Sequence, residues 1–460
     1  MRTIDRELLE RYDRPGPRYT SYPTAPVWSD AFGPDDYAAR LAAAGERTHD
    51  PLSLYVHLPY CESMCWYCAC SVVITQDHEK GSRYVDDVLR EADLVRRHLG
   101  AGDERRVVQH HWGGGTPTFL PPHECERLFT GLCERFGLAD GAEVSIEVDP
   151  RVTTRAHLEA LARVGFNRIS MGVQDFDERV QQAIHRVQPF EMTKELVDAA
   201  RELGFSSVNL DLVYGLPYQD EHSFARSLEL VAQLEPDRIA CYSYAHVPWL
   251  KKHQKLMPED AMPTGAQKQA LFQLALSALV DDGMEAIGMD HFARSTDELA
   301  VAAQRGRLHR NFMGYTTRPA DDMLSFGVTS IGEVDGAFTQ NRKTVADWRN
   351  ALDAGELPVE RGHRRSADDD ARRRIILDLM CRFRLDYDEH GGAVAFRGRY
   401  ADELERLAEM ARDGLCELDD DGVTVTDAGR ILIRNLAMAF DAYLPRGDGG
   451  GERPRFSRTV

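Results

Sequence analysis

Apolar residues recur along this chain with two periods, and the switches between them sketch its elements. From residue 52 onward, SLYVHLP, RVVQHHW, EVSIEV, RISMGV, SVNLDLVYG, RIACYSYA and MEAIGMDHF are apolar throughout or alternate apolar with polar. Both patterns suit strands, the first with two covered faces and the second with one. Between most of them lie RYVDDVLREADLVRRHL, HLEALARVG, KELVDAARELG and FARSLELVAQL, where apolar residues return every three or four positions. That spacing gathers them on one face of a helix. Strand–helix alternation at this rhythm predicts right-handed crossovers and a parallel sheet. Six or seven such units predict an α/β fold, a partial (β/α) barrel over residues 51–300, with its chemistry at the C-terminal ends of the strands.

Outside those limits the rhythm changes. Residues 1–45 are polar, and GPRYTSYPTAPVW sets prolines among aromatics, which predicts an extended lead segment, residues 1–50, lying across the barrel. Residues 301–365, with the glycine-bearing NFMGYTT and LSFGVTSIG, predict an irregular segment covering the active site. Beyond 366, DDDARRRIILDLMCRF, DELERLAEMARDG and GRILIRNLAMAFDAYL predict helices and LCELDDDGVTVT a hairpin. Residues 366–460 are therefore expected to form a smaller, mostly helical C-terminal domain with a β wing. The GDGGGERPR tail is expected to be mobile.

Composition narrows the setting. With 460 residues, 43% apolar and 28% charged, the chain has the balance of a soluble globular protein. No run approaches the ~20 apolar residues that span a bilayer. The start, MRTIDRELLERYDRPG, lacks the apolar core of a signal peptide. A cytoplasmic monomer without membrane association is the expectation. The net charge of −19 argues against nucleic-acid binding, which wants a basic field. An anionic substrate would need a local nest of Arg and Lys.

A reducing compartment changes how the cysteines read. CESMCWYCAC, residues 61–70, holds four of the nine, directly after the first predicted strand. Disulfides are disfavoured in the cytosol, so clustered thiols point to metal ligation or catalysis. Structural zinc is one reading, but such sites draw ligand pairs from separated parts of the chain. Three thiolates spaced C-x3-C-x2-C in one loop fit three corners of an iron–sulfur cubane, leaving one iron open. The other five, Cys125, Cys133, Cys241, Cys381 and Cys416, fall in apolar patterns and read as core. The adjacent His110 and His111 read as structural.

The cysteine spacing, Tyr67 before the third cysteine and GGGTP at 113–117 resemble the radical S-adenosylmethionine (SAM) superfamily. PGPRYTSYPTA, YVHLPYC, HWGGGTPTFL, SIEVDPR, MGVQDF, NLDLVYGLP, YAH, GMDHFA, HRNF-x-GYTT and the terminal FSR narrow the likeness, and they run from residue 11 to the C-terminus. Together they resemble the oxygen-independent coproporphyrinogen III oxidases (coproporphyrinogen dehydrogenases), oxidoreductases of haem and porphyrin biosynthesis.

That resemblance implies a [4Fe–4S] cluster on Cys61, Cys65 and Cys68, with SAM on its fourth iron. An electron-donor protein would drive SAM to methionine and a 5′-deoxyadenosyl radical. The radical would take hydrogen from a substrate propionate, and loss of carbon dioxide and one electron would leave a vinyl group. Two rounds would give protoporphyrinogen IX. The family holds two SAM molecules. By similarity Tyr55, Gly114, Glu147 and Ile331 contact the cluster-bound one, while Tyr67, Gly115, Thr116, Gln174, Arg186, Asp211 and Ala245 surround the second. These types make chemical sense: carboxylates accept from amino and ribose donors, and a guanidinium forks onto a carboxylate. Cys70 is implied to be a non-ligating residue near the chemistry and is the catalytic candidate. Arg310 and Arg318, flanking NFMGYTT, are candidate partners for propionates.

Two positions and one stretch, LSFGVTSIGEVDG near the expected SAM contact, depart from the family. Ala69 stands where glycine is usual in C-x-C, and Met313 where glutamine is usual. These leave a second reading open, a two-SAM radical methylase or cyclopropanase with another substrate. A third is a haem-binding or haem-delivery relative, although those lack the fourth cysteine and the lead segment that are present here.

Overall fold

The computed structural model describes residues 5–100, 102, 104–444, 456, 458 and 459. Six strands lie side by side, each parallel to the next. They are β1 (Leu52–Leu58), β2 (Val107–Gly114), β3 (Leu138–Val148), β4 (Arg168–Gln174), β5 (Ser207–Tyr214) and β6 (Arg238–Ser243). Helices α1 (Glu79–Leu99), α2 (Pro122–Phe136), α3 (Arg155–Val164), α4 (Phe190–Glu202) and α5 (Glu221–Gln233) occupy the crossovers, and α6 (Gly265–Asp281) follows β6.

The period of two decides what the barrel encloses. Leu52, Leu54 and Val56 of β1, Val144, Ile146 and Val148 of β3, and Val208, Leu210 and Leu212 of β5 all join the main apolar core. The residues between them face the other way and bond to one another. Ser53 Oγ donates to Gln109 (3.4 Å), His111 Nδ1 meets Ser145 Oγ (2.7 Å), and Asn209 Nδ2 donates to Ser170 (2.8 Å). The barrel therefore has a polar inner face.

Beyond β6 the expected single strand MEAIGMDHF is two antiparallel strands, β7 (Met284–Gly288) and β8 (His291–Arg294), and β8 runs antiparallel to β6. Met289, at φ 52°, reverses the chain between them. Residues 301–365 differ more. They carry β9 (Asp322–Phe326), parallel to β1 on its open edge, then β10 (Ile331–Val334), β11 (Ala337–Asn341) and β12 (Val359–Arg364) in antiparallel succession. The sheet order is β12-β11-β10-β9-β1-β2-β3-β4-β5-β6-β8-β7. Strands of four to six residues are too short to show their period, which is why this stretch reads as irregular. Ahead of them, His309–Asn311 and Gly314–Thr316 form a separate small hairpin.

The lead is not extended throughout: helices Arg6–Tyr12 and Pro34–Gly45 bracket an extended stretch. A second apolar core joins lead residues Leu9, Tyr19 and Tyr22 to α7 (Ala367–Arg382) and to the end of the chain at Leu436 and Phe440. The wing has three strands rather than two, since Arg384–Asp386 adds to Cys416–Leu418 and Gly422–Val425. The final predicted helix is interrupted at Leu432, giving Asp427–Ile431 and Ile433–Met438. The GDGGGERPR tail lies outside the described residues. Among those described, no helix is long and apolar enough to cross a membrane.

Candidate active site

The cysteine loop leaves β1 and is closed at its base by pairing of Tyr60–Cys61 with Val73–Ile74. From outside, three side chains hold its backbone: Gln254 Nε2 donates to Tyr67 O (3.0 Å), Lys251 Nζ to Cys70 O (3.0 Å), and His253 Nε2 meets Cys68 O (2.7 Å). The thiols have different neighbours. Cys61 Sγ lies 3.4 Å from Thr116 Oγ1, and Cys65 Sγ accepts from Arg151 Nη2 (3.2 Å) and Arg186 Nη1 (3.6 Å). Cys68 Sγ accepts the Cys70 N–H at 3.4 Å. Hydrogen bonding from Cys70, helped by Lys251 and His253, brings the Cys68 thiol down to about 6 against the pull of burial. Burial pushes Cys61 up to about 11, and the partnership with Cys68 drives Cys70 upward.

The thiols open on a cavity of about 140 Å³ at the C-terminal end of the strands. Cys61, Cys65, Cys68 and Cys70 line it with Tyr67, Gly114, Gly115 and Thr116. Across from them stand Glu147, Gln174, Arg186 and Asp211. Gly114 takes φ +114°, and a Cβ at Gly115 would come within 2.7 Å of the Pro59 backbone. Glycine is thus required by the protein's own packing as well as by any ligand.

The acids are tuned apart. Burial would raise the Glu147 carboxyl, but His111 Nε2 at 3.4 Å and the Gly114 N–H at 3.2 Å outweigh it and hold the group low. Asp211 accepts from Ser170 Oγ (3.2 Å) and Asn209 (2.8 Å), yet burial and then repulsion by Glu147 lift it to about 7. Asp149 is driven the other way, to about 2, as Arg186 (2.9 Å) and Arg151 (2.6 Å) overcome its burial. Arg186 Nη2 also donates to Gly172 O (2.6 Å), while its buried Nε has no hydrogen-bond partner among the described residues.

Three of the expected contacts do not line this cavity. Tyr55 lies against it, its hydroxyl 3.1 Å from His57 Nδ1 and its ring stacked 6.0 Å from His111. Ala245 offers a carbonyl to Gln254 (3.3 Å), the amide that also holds Tyr67. Ile331 packs with Trp28, Phe338 and Phe312. Asp149, Arg151 and Ser170 line the cavity although the sequence did not single them out. Asp149 stands two residues past Glu147, the spacing that returns to one face of a strand. His111, read as structural, reaches Glu147, whereas His110 is buried and accepts from Trp112 Nε1 (3.0 Å). Ala69 has no positive φ, so the missing glycine costs no backbone strain there.

Thiols alone suit zinc or iron. Among the described residues no three His, Cys, Asp or Glu side chains close around one point. Three thiols spread about one cavity fit a cluster that offers a corner to each, with Arg151 and Arg186 there to balance thiolate charge.

Comparison with known proteins adds the decisive observation. The radical SAM superfamily matches residues 55–231 and the HemN C-terminal domain residues 366–432. Oxygen-independent coproporphyrinogen III oxidase of Synechocystis sp. is 43% identical over 461 residues, covering 99% of this chain and 97% of that one. The chain belongs to this family. The Escherichia coli oxidase is also 43% identical, covering 99% of this chain and 98% of its own. A solved structure of coproporphyrinogen III oxidase (HemN) from Escherichia coli, described as a radical SAM enzyme, aligns with TM-score 0.90 and 41% identity over 96% of this chain and 100% of that one. As a member of the coproporphyrinogen III oxidase family, the protein is a radical SAM oxidoreductase whose cofactors are a [4Fe–4S] cluster and SAM.

Proposed function

We propose that the protein converts two propionates of coproporphyrinogen III to vinyl groups, giving protoporphyrinogen IX, and that the cavity beside the cysteine loop is where this happens. The observation that carries the reading is the meeting of Cys61, Cys65 and Cys68 with Glu147, Gln174, Arg186 and Asp211 in one cavity, within a chain similar to these oxidases from end to end. Cys61, Cys65 and Cys68 hold the cluster, which when bound supplies the electron that splits SAM. Glu147, held low by His111 and Gly114, would accept from amino or hydroxyl donors of the first SAM, with Gly114, Tyr55 and Ile331 as its other contacts. Tyr67, Gly115, Thr116, Gln174 and Asp211, with Ala245 behind them, would surround a second SAM, and the Arg186 guanidinium would meet its carboxylate. Cys70, outside the ligand set, serves turnover. A separate electron-donor protein, a monomeric enzyme and a cytoplasmic location complete the reading.

Anaerobic reaction with coproporphyrinogen III, SAM and a reductant is expected to yield vinyl products, 5′-deoxyadenosine and methionine. Formation of S-adenosylhomocysteine without vinyl product would show a methylase instead. SAM cleavage with an untouched porphyrinogen would move the substrate elsewhere.

A further inference from the structure

A second cavity, of about 450 Å³, lies at the opposite end of the barrel. Its wall includes Ser53 and Met323 from the starts of β1 and β9, Leu377 and Cys381 of α7, and Arg310 and Asn311 of the small hairpin. Most of its charges are matched. Glu333 pairs with Arg365 (2.5 Å) and Arg373 (3.1 Å), Asp378 pairs with His390 (2.8 Å) and Arg382 (3.3 Å), and Asp321 is exposed.

Arg310 is the exception. It is 6% exposed, and its Nη2 donates to the Arg18 carbonyl (3.3 Å), but Nε and Nη1 are buried without hydrogen-bond partners among the described residues. The guanidinium lies 4.6 Å over the Tyr315 ring, whose hydroxyl is committed to Met380 O (3.1 Å). Asp290 is paired with Arg18. A guanidinium cannot shed its proton to escape burial, and a buried cation without a counter-ion is costly. An anion from outside the chain would relieve it, and a carboxylate matches the fork.

We propose that this cavity is a carboxylate-binding site anchored by Arg310. Resting on the function proposed above, the carboxylate is a propionate of the tetrapyrrole other than the one being converted. The hairpin links the two cavities: Asn311 is in the wall of this one, and the next residue, Phe312, meets Tyr55 edge-on at 5.9 Å. Tyr55 in turn stacks on His111, which touches Glu147 at the cysteine cavity. A tetrapyrrole carries propionate arms on several sides, so one can sit at Arg310 while another is converted, whereas a small free carboxylate offers a single group.

Arg310→Met tests this, with Arg310→Lys as the charge-keeping control, each in the full cluster-loaded chain. Sodium propionate, titrated against chloride at constant ionic strength, is expected to raise the Tm of the unaltered protein and leave that of Arg310→Met unmoved. Without propionate, Arg310→Met should melt no lower than the unaltered protein, because it removes an unmatched buried charge. Coproporphyrin III, the stable oxidised form with all four propionates, should quench tryptophan fluorescence about tenfold to hundredfold more weakly in affinity for Arg310→Met. The Lys variant should fall between, and SAM affinity should be equal in all three. Unaltered porphyrin affinity in Arg310→Met, or a lowered Tm without ligand, overturns the proposal. Response to propionate with no binding of the porphyrin overturns the propionate assignment and leaves a site for a small free carboxylate. Failure to turn over coproporphyrinogen III would sink the functional reading, and the propionate titration would still decide the anion site.

Discussion

Cys68 and Cys70 are two residues apart and are expected to behave oppositely when removed. The Cys68 thiol is brought low by its neighbours, while that of Cys70 is raised, so of these two Cys68 is the readier thiolate. Alanine at Cys61, Cys65 or Cys68 should abolish iron after anaerobic reconstitution, whereas Cys70→Ala should retain about four irons per chain and lose turnover. Zinc in place of iron would overturn the assignment. Asp211 gives a pH test. Its carboxyl, raised to about 7, is neutral below that pH and charged above it, and only the charged form attracts the cationic groups of SAM. SAM affinity measured by equilibrium dialysis should rise by up to about tenfold from pH 6 to pH 8, and Asp211→Asn should stay flat at the low value. The cysteine spacing was legible in the sequence because one short loop carries the ligands. Asp149 and Arg151 were not, because an acid and a base two apart read as solvated until a third group, Arg186, is brought to Asp149 from 37 positions further along.

Among the elements, α1 and the β9–β11 strands are joined at Glu91. This residue of α1 is 1% exposed and accepts from the Gly327 N–H (2.7 Å), Asn341 Nδ2 (2.5 Å) and Trp348 Nε1 (3.1 Å). Burial raises its carboxyl to about 8, although all three hydrogen bonds oppose the shift. The folded protein therefore keeps a proton that the unfolded chain releases in the ordinary carboxylate range. Stability should decline as pH rises from about 5 to 8, and less steeply once Glu91 is replaced. Glu91→Ala also strands three buried donors and should cost at least about 2–3 kcal/mol in urea unfolding. An unchanged midpoint would mean that these strands are held by packing alone. No local pattern announces this joint. The partners lie some 250 positions apart, and the glycine-rich loops between short strands hide the period that would have revealed β9 to β11. The long units from β1 to β6 were readable because each repeats its period several times before a turn.

At the scale of the molecule, the lead segment and the chain's end are fastened to each other over the barrel. Arg434 donates to Pro17 O (3.0 Å), to Gly16 O and to Arg458 O (2.9 Å), Tyr19 donates to Asp441 (3.0 Å), and Ala442 N–H donates to the Tyr22 hydroxyl (3.0 Å). Proline and aromatic spacing foretold a segment lying across a domain, but which domain it grips follows from contacts more than 400 positions apart. The clamp also reaches inward, since Arg18, next to Pro17, gives its carbonyl to Arg310. Arg434→Leu should release the lead without touching the cysteine loop. Trypsin should then cut after Arg18 faster than in the unaltered protein, while iron content and SAM affinity stay the same. If the lead positions Arg310 for its carboxylate, the KM for coproporphyrinogen III should rise more than kcat falls, because binding is disturbed and the reacting groups are not. A faster cut with both kinetic constants unmoved would mean that the lead is a cover without a part in substrate binding. An unchanged cutting rate would mean that Tyr19 and Tyr22 hold it without Arg434.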